Sequence, residues 1–253
     1  MNAQEKIETY CHKLRLPYIR DHYKTEIDNA VKAKLTFHDF LHDILKGQIL
    51  ERIDNTINRS IKSAGFNSIK RLEEFDFSFQ PQIDEKRIRE LGNLQFIEDK
   101  QNIVFLGPPG VGKTHLATSL GVKACQEQLK VSFFTVQNII TELKIAQATN
   151  QLVKLMRKLT KVDLLIIDEL GYMKLDSISA TLFFQLISHR YEKGSIIITS
   201  NKQPDQWGKV FNDDVIATAI LDRVFHHCHH FIITGKSYRM KNIKVHDPEK
   251  QNK

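Results

Sequence analysis

The sequence contains few cysteines, and their arrangement excludes a disulfide scaffold. Cys11, Cys125 and Cys228 are the three cysteines among the 253 residues. They are odd in number, far apart, and form no CxxC pair, so neither a disulfide framework nor a cysteine-based zinc site is expected. Isolated thiols of this kind are typical of a reducing compartment. We therefore predict a cytoplasmic protein.

Long hydrophobic runs are also missing. No stretch approaches the roughly eighteen apolar residues that a membrane span requires, which predicts that the protein has no membrane partner. The opening residues, MNAQEKIETYCHKL, carry acids early and contain no unbroken apolar segment. Neither a signal peptide nor a transit peptide is therefore expected. With 41% hydrophobic and 26% charged residues, the composition is that of a globular protein with an ordinary core.

The charge balance is basic. The 37 Lys and Arg against 30 Asp and Glu give a formal net charge of +7. This excess favours a polyanionic partner such as a nucleic acid, although many basic proteins of this size bind none. Charge alone therefore leaves the question open.

Residues 1–70 are predicted to form a helical N-terminal domain. Apolar residues recur at spacings of three and four from Phe37 to Ile61, which indicates one long amphipathic helix. Thr36 with Asp39 resembles a capping box at its start, and Gly65 suits its end. Shorter helices are expected at residues 4–14 and 18–32. Such a set buries little by itself, so we expect it to pack on the second domain or on another copy. Its modest excess of Lys and Arg suggests a DNA contact or docking to a partner.

Residues 71–83 are mixed in character and are predicted as a linker, and residues 84–253 as the second domain. In the second domain, apolar strands alternate with helices. The strands carry polar residues only at their ends, which predicts an α/β fold with a central parallel sheet flanked by helices on both faces. We predict strands at residues 102–106, 131–136, 163–167, 195–199 and 231–234.

A glycine-rich stretch follows the first of these strands. Gly107, Gly110, Gly112, Lys113 and Thr114 satisfy the pattern G-x-x-x-x-G-K-[ST] between a predicted strand and a predicted helix. Glycines let the backbone approach a ligand closely, a helix N-terminus favours an anion, and the lysine supplies a cation. The pattern predicts a phosphate-binding loop, with the Thr114 hydroxyl as an Mg²⁺ ligand.

Two later strands end in polar residues. The stretch VDLLIIDEL ends with Asp168 and Glu169, and SIIITSNKQ delivers Asn201. Asp168 can hold Mg²⁺, Glu169 can polarise a water for attack on the γ-phosphate, and Asn201 can orient that water. Hydrolysis is therefore predicted. The alternatives are a solvated pair of carboxylates and an ordinary asparagine in a turn.

An ordered series of motifs resembles the IstB family, the ATP-binding helper proteins of insertion sequences, which are relatives of the DnaC helicase loaders within the AAA+ ATPases. The series is GPPGVGKTHLA, LLIIDELGYM, FFQLISHRYE, IIITSNKQPDQW, ILDRVFHH and ITGKSYRMK. It runs over most of residues 75–242. The resemblance implies an AAA+ P-loop fold, and the short stretch after residue 235 implies a reduced or absent C-terminal lid.

The resemblance also implies a role for each site residue. Asp168 and Glu169 correspond to Walker B, Asn201 to sensor I, and Arg223 to an arginine finger that reaches the nucleotide of a neighbouring subunit. Arg239 is a weaker candidate for sensor II. For Arg223 the alternative is a surface arginine, and for Arg239 a contact of a basic tail. The resemblance implies ATP and Mg²⁺ as cofactors and a catalytic role for Lys113. The residues expected to bind the nucleotide are those of Walker A and the residue after it: Gly107, Pro108, Pro109, Gly110, Val111, Gly112, Lys113, Thr114 and His115.

A basic stretch without acids follows the second predicted strand. In the loader branch this region lines the inside of a helical assembly and faces DNA, and lysine or arginine contacts to phosphates would give binding with little sequence preference. Aromatic residues are not interleaved with the basic ones, which weakly favours duplex DNA. The alternative is a solvated helix face. The candidate DNA-binding residues are Lys144, Lys154, Arg157, Lys158 and Lys161.

The function implied is a DNA-stimulated ATPase that forms homo-oligomers on duplex DNA and assists a cognate transposase. The alternatives are a DnaC-like loader of a replicative helicase, a small-molecule phosphotransferase, and an ATP-gated adaptor that does not hydrolyse. The cluster HHCHH at residues 226–230 suggests a metal site, but no second Cys/His cluster completes four ligands. We expect no zinc there.

Overall fold

The computed structural model describes residues 2–241, which divide into two compact units between Arg59 and Ser60. The division lies inside the third helix, before the boundary predicted at residue 70. The strands are β1 (Asn102–Leu106), β2 (Val131–Thr135), β3 (Leu164–Leu170), β4 (Ser195–Ser200) and β5 (Cys228–Ile232). The helices are α1 (Ala3–Leu14), α2 (Pro17–Ala33), α3 (Phe37–Ala64), α4 (Glu85–Leu91), α5 (Gln95–Glu98), α6 (Lys113–Gln126), α7 (Val136–Ala148), α8 (Leu152–Thr160), α9 (Ser177–Arg190), α10 (Trp207–Phe211) and α11 (Asp214–Phe225).

The first unit contains α1, α2 and most of α3. Pro17 is the first residue of α2, where its missing N–H costs nothing because that group has no partner within the helix. The Asp39 N–H donates to Thr36 Oγ1 at 3.2 Å, which gives the expected N-terminal cap of α3. Ile44 is buried, whereas Phe37 is 92% exposed. The apolar side of α3 is therefore only partly covered.

The second unit contains a five-stranded sheet in the order β2-β3-β4-β1-β5, and every neighbouring pair is parallel. The α/β prediction is confirmed. The largest differences from the predicted boundaries are in β3, which continues to Leu170 rather than ending at residue 167, and in β5, which spans Cys228–Ile232 rather than residues 231–234. The other strand ends agree with the prediction to within one residue. In a parallel sheet all carboxyl ends lie at one edge, so the ends of β1, β3 and β4 meet there.

Helices cover both faces of this sheet. Alternate strand residues face opposite layers: Val104 and Ile167 belong to the core beneath α7 to α11, while Phe105 and Ile166 belong to the core beneath α6. The central strands are buried on both faces and therefore read as continuous apolar runs.

A buried arginine connects elements at the amino ends of the strands, opposite the carboxyl ends where β1, β3 and β4 meet. The Arg190 side chain is fully buried, and its guanidinium donates to the carbonyls of Leu159 at 2.5 Å, Val162 at 3.0 Å and Ser195 at 2.7 Å. These bonds join the end of α8 to the starts of β3 and β4. Burial lowers the Arg190 pKa to about 10, so the side chain stays charged at neutral pH.

Residues 71–83 do not behave as a free connection. They form two short 3₁₀ turns, and Leu72, Phe75 and Phe77 pack against the core beneath α6. At the other end of the chain, the part of the lid prediction that concerns residues 242–253 lies outside the described residues.

Candidate functional site

The loop between β1 and α6 has the geometry of a phosphate cradle. Gly107, Gly110 and Gly112 have φ angles of 148°, 82° and 102°, a region that side chains disfavour. A Cβ at Gly107 would lie 2.1 Å from the carbonyl oxygen of Ile233, so only glycine fits. The loop leads into the N-terminus of α6, where the first backbone N–H groups have no partner within the helix.

Lys113 is the first residue of α6 and points back over the loop. Its side chain is buried, and Nζ donates to the carbonyls of Gly107 at 2.7 Å and Pro108 at 2.8 Å. The Lys113 pKa is lowered to about 8, mainly by burial, with a smaller contribution from the positive charge of Arg239 and with Asp168 and Glu169 acting in the opposite direction. The ammonium group is therefore held at the loop by neutral carbonyls, which a bound phosphate could replace as partners.

Asp168 lies at the end of β3 and joins the loop to the sheet. Its carboxylate Oδ1 accepts hydrogen bonds from Thr114 Oγ1 at 2.9 Å and from Thr199 Oγ1 at 2.5 Å. Hydroxyl and carboxylate oxygens are the ligands that Mg²⁺ prefers, so this pair of residues fits the predicted Mg²⁺ ligands, Thr114 and Asp168. The next residue, Glu169, is exposed and lines the adjoining cavity.

The cavity has a volume of about 420 Å³, large enough for a small ligand. Of the predicted nucleotide-binding residues, the lining contains Gly110, Val111, Gly112, Lys113, Thr114, His115 and Arg239. Gly107, Pro108 and Pro109 form the start of the loop without lining the cavity, and Asp168 lies beneath it. Sequence reasoning missed the remaining lining residues, Ser68, Lys70, Glu74, Phe75, Asp76, Gln80, Thr118, Tyr172, Thr199 and Tyr238.

Two segments distant in sequence close one side of this cavity. Phe75 lies against Gly112, where a Cβ would come within 2.5 Å of its ring, and its ring meets His115 edge-on at 5.3 Å. The Tyr238 N–H donates to the carbonyl of Gly110 at 2.9 Å. An ion pair between Lys241 and Asp76 at 2.9 Å, together with the hydrogen bond from Gln80 to the Lys236 carbonyl at 2.8 Å, joins the two segments. The aromatic residues within 75–79 are the sequence feature from which this side of the cavity could have been predicted.

Asn201 and Arg223 are placed differently from the loop residues. Asn201 does not line the cavity, and its Oδ1 is buried without a hydrogen-bond donor among the described residues. This oxygen lies so close to Gly171 that a Cβ at that position would be 2.6 Å from it. Arg223, on α11, donates to the carbonyl of Ala219 at 2.8 Å and lies over the ring of Phe184 at 4.9 Å. It too lies outside the lining of the cavity in its own chain.

The predicted DNA-binding residues fall into two groups. Lys144 forms an ion pair with Asp176 at 2.7 Å. The other four are exposed and follow one another at helical spacing along α8 and its C-terminal cap, while Met156 and Leu159 face the core. Within residues 2–241 none of these four forms an ion pair. They define a basic stripe, made of Lys154, Arg157, Lys158 and Lys161.

The histidine cluster is divided by the fold. His226 and His227 follow α11 and are exposed, with one ligand atom each within 4.8 Å of a carboxylate oxygen of Glu192. His226 Nδ1 is also 2.7 Å from the hydroxyl of Tyr191. His229 and His230 belong to β5. All three residues of the possible ligand group are solvated, which is the ordinary condition of surface side chains, so the group carries no conclusion about a metal.

The sheet order, the phosphate loop and the acidic pair at the end of β3 define a P-loop protein of the AAA+ class. The fold resembles that of AMPPCP-bound DnaA from Aquifex aeolicus, with a TM-score of 0.55 and 19% identity over 69% of this chain and 53% of that one. DnaI gives a TM-score of 0.54 with 20% identity, over 66% of this chain and 89% of that one. Within residues 2–241, no helix combines the length and apolar character needed to cross a bilayer.

The chain belongs to the family of IstB-like ATP binding proteins, which it matches over residues 9–245. It is 42% identical over 248 residues to a protein of insertion sequence IS5376 from Geobacillus stearothermophilus, covering 98% of both chains. A protein of insertion sequence IS21 from Pseudomonas aeruginosa is 42% identical over 236 residues, with 93% of this chain and 89% of the relative covered. The resemblance found in the motifs is confirmed, and ATP is the nucleotide of this family.

Proposed function

We propose that this protein is an ATPase that forms homo-oligomers on duplex DNA and assists the transposase of its insertion sequence. The observation that carries the hydrolytic part is the position of Glu169 in the cavity wall next to Asp168, which contacts the phosphate loop through Thr114. An exposed carboxylate there can accept a proton from an attacking water, while Lys113 and the N-terminus of α6 hold the phosphates. A bound Mg²⁺ would neutralise charge on the phosphates, held by Thr114 and Asp168.

The experiment for this proposal measures phosphate release by the purified protein with and without duplex DNA, alongside its mass in solution with and without ATP. We expect faster release with DNA and an oligomer with ATP. A rate that DNA leaves unchanged, together with a monomer under both conditions, would contradict the proposal.

The DNA contact is proposed for the basic stripe. Replacing Lys154, Arg157 and Lys158 by alanine removes three cations that have no acidic partner among the described residues. We expect weaker duplex binding and a slope of log affinity against log salt that is shallower by about 2 to 3, since each phosphate contact contributes about 0.9. Fluorescence anisotropy with a labelled duplex over a salt series measures both.

Two controls accompany this series. Replacing the exposed Lys123, which lies on the opposite face of the sheet, should leave the slope unchanged. Lys144→Ala should have less effect than any residue of the stripe, because Lys144 is neutralised by Asp176. Equal slopes for the triple variant and the wild type would exclude the stripe as the DNA contact.

Arg223 is proposed to act on the nucleotide of a neighbouring subunit. Its own chain leaves it outside the cavity, on a helix end where it contacts a carbonyl and an aromatic ring. An arginine supplied in trans stabilises charge on the transferring phosphoryl group, so Arg223→Ala should lower turnover about 1,000-fold.

A mixing experiment tests this role. Arg223→Ala subunits keep an intact phosphate loop, and Lys113→Ala subunits keep Arg223, so the two inactive variants should regain ATPase activity when combined. Assembly of each variant is checked by its mass with ATP. Full activity of Arg223→Ala alone, or no activity in a mixture that assembles, would show that the arginine does not act across a subunit boundary.

The partner is proposed from the relatives, which are named for insertion sequences. The alternative partner is a replicative helicase, because the fold is also shared with the DnaC helicase loader, at a TM-score of 0.50 and 22% identity, over 64% of this chain and 96% of that one. That likeness shows the fold alone. Co-purification with the transposase of the same element, compared with the host replicative helicase, separates the two.

A further inference from the structure

We infer that Thr199 is a positioning residue for ATP hydrolysis, and that it acts by holding the backbone of Glu169 and the carboxylate of Asp168 in one arrangement. The inference rests on the proposed ATPase function. The pairing of β3 with β4 is irregular near the carboxyl ends of the two strands. Ile167 of β3 pairs with Ile198 of β4, but the next pair is Leu170 with Ser200.

Two residues of β3, Asp168 and Glu169, therefore lie opposite the single residue Thr199. This is the arrangement of a β-bulge, in which the extra residue cannot pair in the ladder and its side chain is redirected. The backbone of Glu169 has a φ angle of 69°, which is unfavourable for a residue with a side chain and persists only where the surroundings hold it.

The Thr199 hydroxyl supplies what the bulge lacks. Its Oγ1 accepts the Glu169 N–H at 3.0 Å and donates its own proton to Asp168 Oδ1 at 2.5 Å. Thr199 is 1% exposed, so neither bond competes with bulk water. One buried hydroxyl thus satisfies an N–H that the ladder leaves unpaired and fixes the acid that contacts Thr114.

This arrangement determines where the Glu169 carboxylate can lie. A general base must be within hydrogen-bonding distance of the water that it activates, and a displacement of about 1 Å can cost about 100-fold in rate. Without the hydroxyl, the Glu169 N–H loses its hydrogen-bond acceptor, and this bond no longer holds the positive φ of Glu169. We expect the backbone to relax and the carboxylate to move, while the phosphate loop, which is made by other residues, keeps its affinity for ATP.

The test compares Thr199→Val, which keeps the shape and removes the hydroxyl, with Thr199→Ser, which keeps the hydroxyl. We expect Thr199→Val to lower kcat for phosphate release about 10- to 100-fold, with the ATP Kd within about threefold of the wild type, and Thr199→Ser to retain most of the rate. A merely structural role would lower kcat and ATP affinity together, and serine would not restore them.

A second measurement shows whether Thr199 acts through Glu169. In a Glu169→Gln background, Thr199→Val should cause a much smaller further loss than in the wild-type background, because the part of its effect that acts through Glu169 is already gone and groups that act as a unit are not additive. A further loss as large as that in the wild-type background would overturn the inference. Wild-type kcat in Thr199→Val, or equal losses in the valine and serine variants, would also overturn it.

Two outcomes need separate treatment. If Thr199→Val gives no cooperative thermal transition, Thr199→Ala removes the same hydroxyl together with the γ-methyl group, places no apolar group against Asp168, and carries the same thresholds. If the wild-type protein releases no phosphate under any condition, the ATPase proposal fails, and the inference fails with it. If the wild type is active and Thr199→Val is equally active, only the inference fails.

Discussion

Glu169→Gln will bind ATP like the wild type and hydrolyse it about 100 to 10,000 times more slowly, the range expected when a general base is removed. Glutamine keeps the size and polarity of the side chain, so the left-handed backbone at this position and its bond to Thr199 are retained. The phosphate loop is untouched. The loss should therefore appear in kcat and not in the ATP Kd.

Single-turnover phosphate release and an ATP titration measure the two quantities separately. Glu127→Gln is a matched control, since Glu127 is exposed at the C-terminal end of α6 and outside the cavity lining. We expect the variant to remain assembled on duplex DNA with ATP, because the ATP that supports the proposed oligomer is no longer hydrolysed. If Glu169→Gln hydrolyses ATP at the wild-type rate, Glu169 is not the general base.

Lys113→Ala will lose ATP affinity by about 100-fold or more, the effect of removing a charge-assisted contact worth about 3 kcal/mol. The side chain is buried with its ammonium group against the carbonyls of Gly107 and Pro108. Alanine leaves these two carbonyls without a donor and removes the cation that a phosphate would meet. Lys123→Ala, on the same helix but exposed, should bind ATP normally.

The same lysine predicts a pH dependence of ATP binding. Burial lowers the Lys113 pKa to about 8 in the free protein, and a bound phosphate would favour the charged form. At pH 7 and below the lysine is almost fully protonated, so affinity is full. As the pH rises above 8, binding must take up a proton, and ATP affinity should fall in the wild type but not in Lys113→Ala. An affinity that is constant from pH 7 to about pH 9.5 would contradict this assignment.

Local patterns predicted the strands and the phosphate loop, because the conformation of each depends on residues close in sequence. The glycines at 107, 110 and 112, the apolar strands and the cap at Thr36 all follow from conformational preferences or hydrophobic periodicity. The long helix was also correctly placed, although its apolar side is less buried than its pattern suggests.

The rest of the site depends on contacts between distant segments, which a single sequence does not contain. Phe75 and Tyr238 are brought to the same cavity by chain folding, and no sequence pattern links the two positions. Thr199 lies inside an apolar strand, two residues before Asn201, and no local pattern distinguishes it from its neighbours. Its role follows from the bulge at Asp168 and Glu169, and the bulge follows from a pairing register that no local pattern encodes.

The central claim is that the loop at residues 107–114 binds ATP through Lys113, whereas Glu169 at the end of β3 acts in hydrolysis and not in binding. A side-by-side titration of Glu169→Gln and Lys113→Ala with ATP, by isothermal calorimetry in the presence of Mg²⁺, tests it most directly. The account predicts wild-type affinity for Glu169→Gln and lost affinity for Lys113→Ala. Equal ATP affinity in the two variants would contradict it.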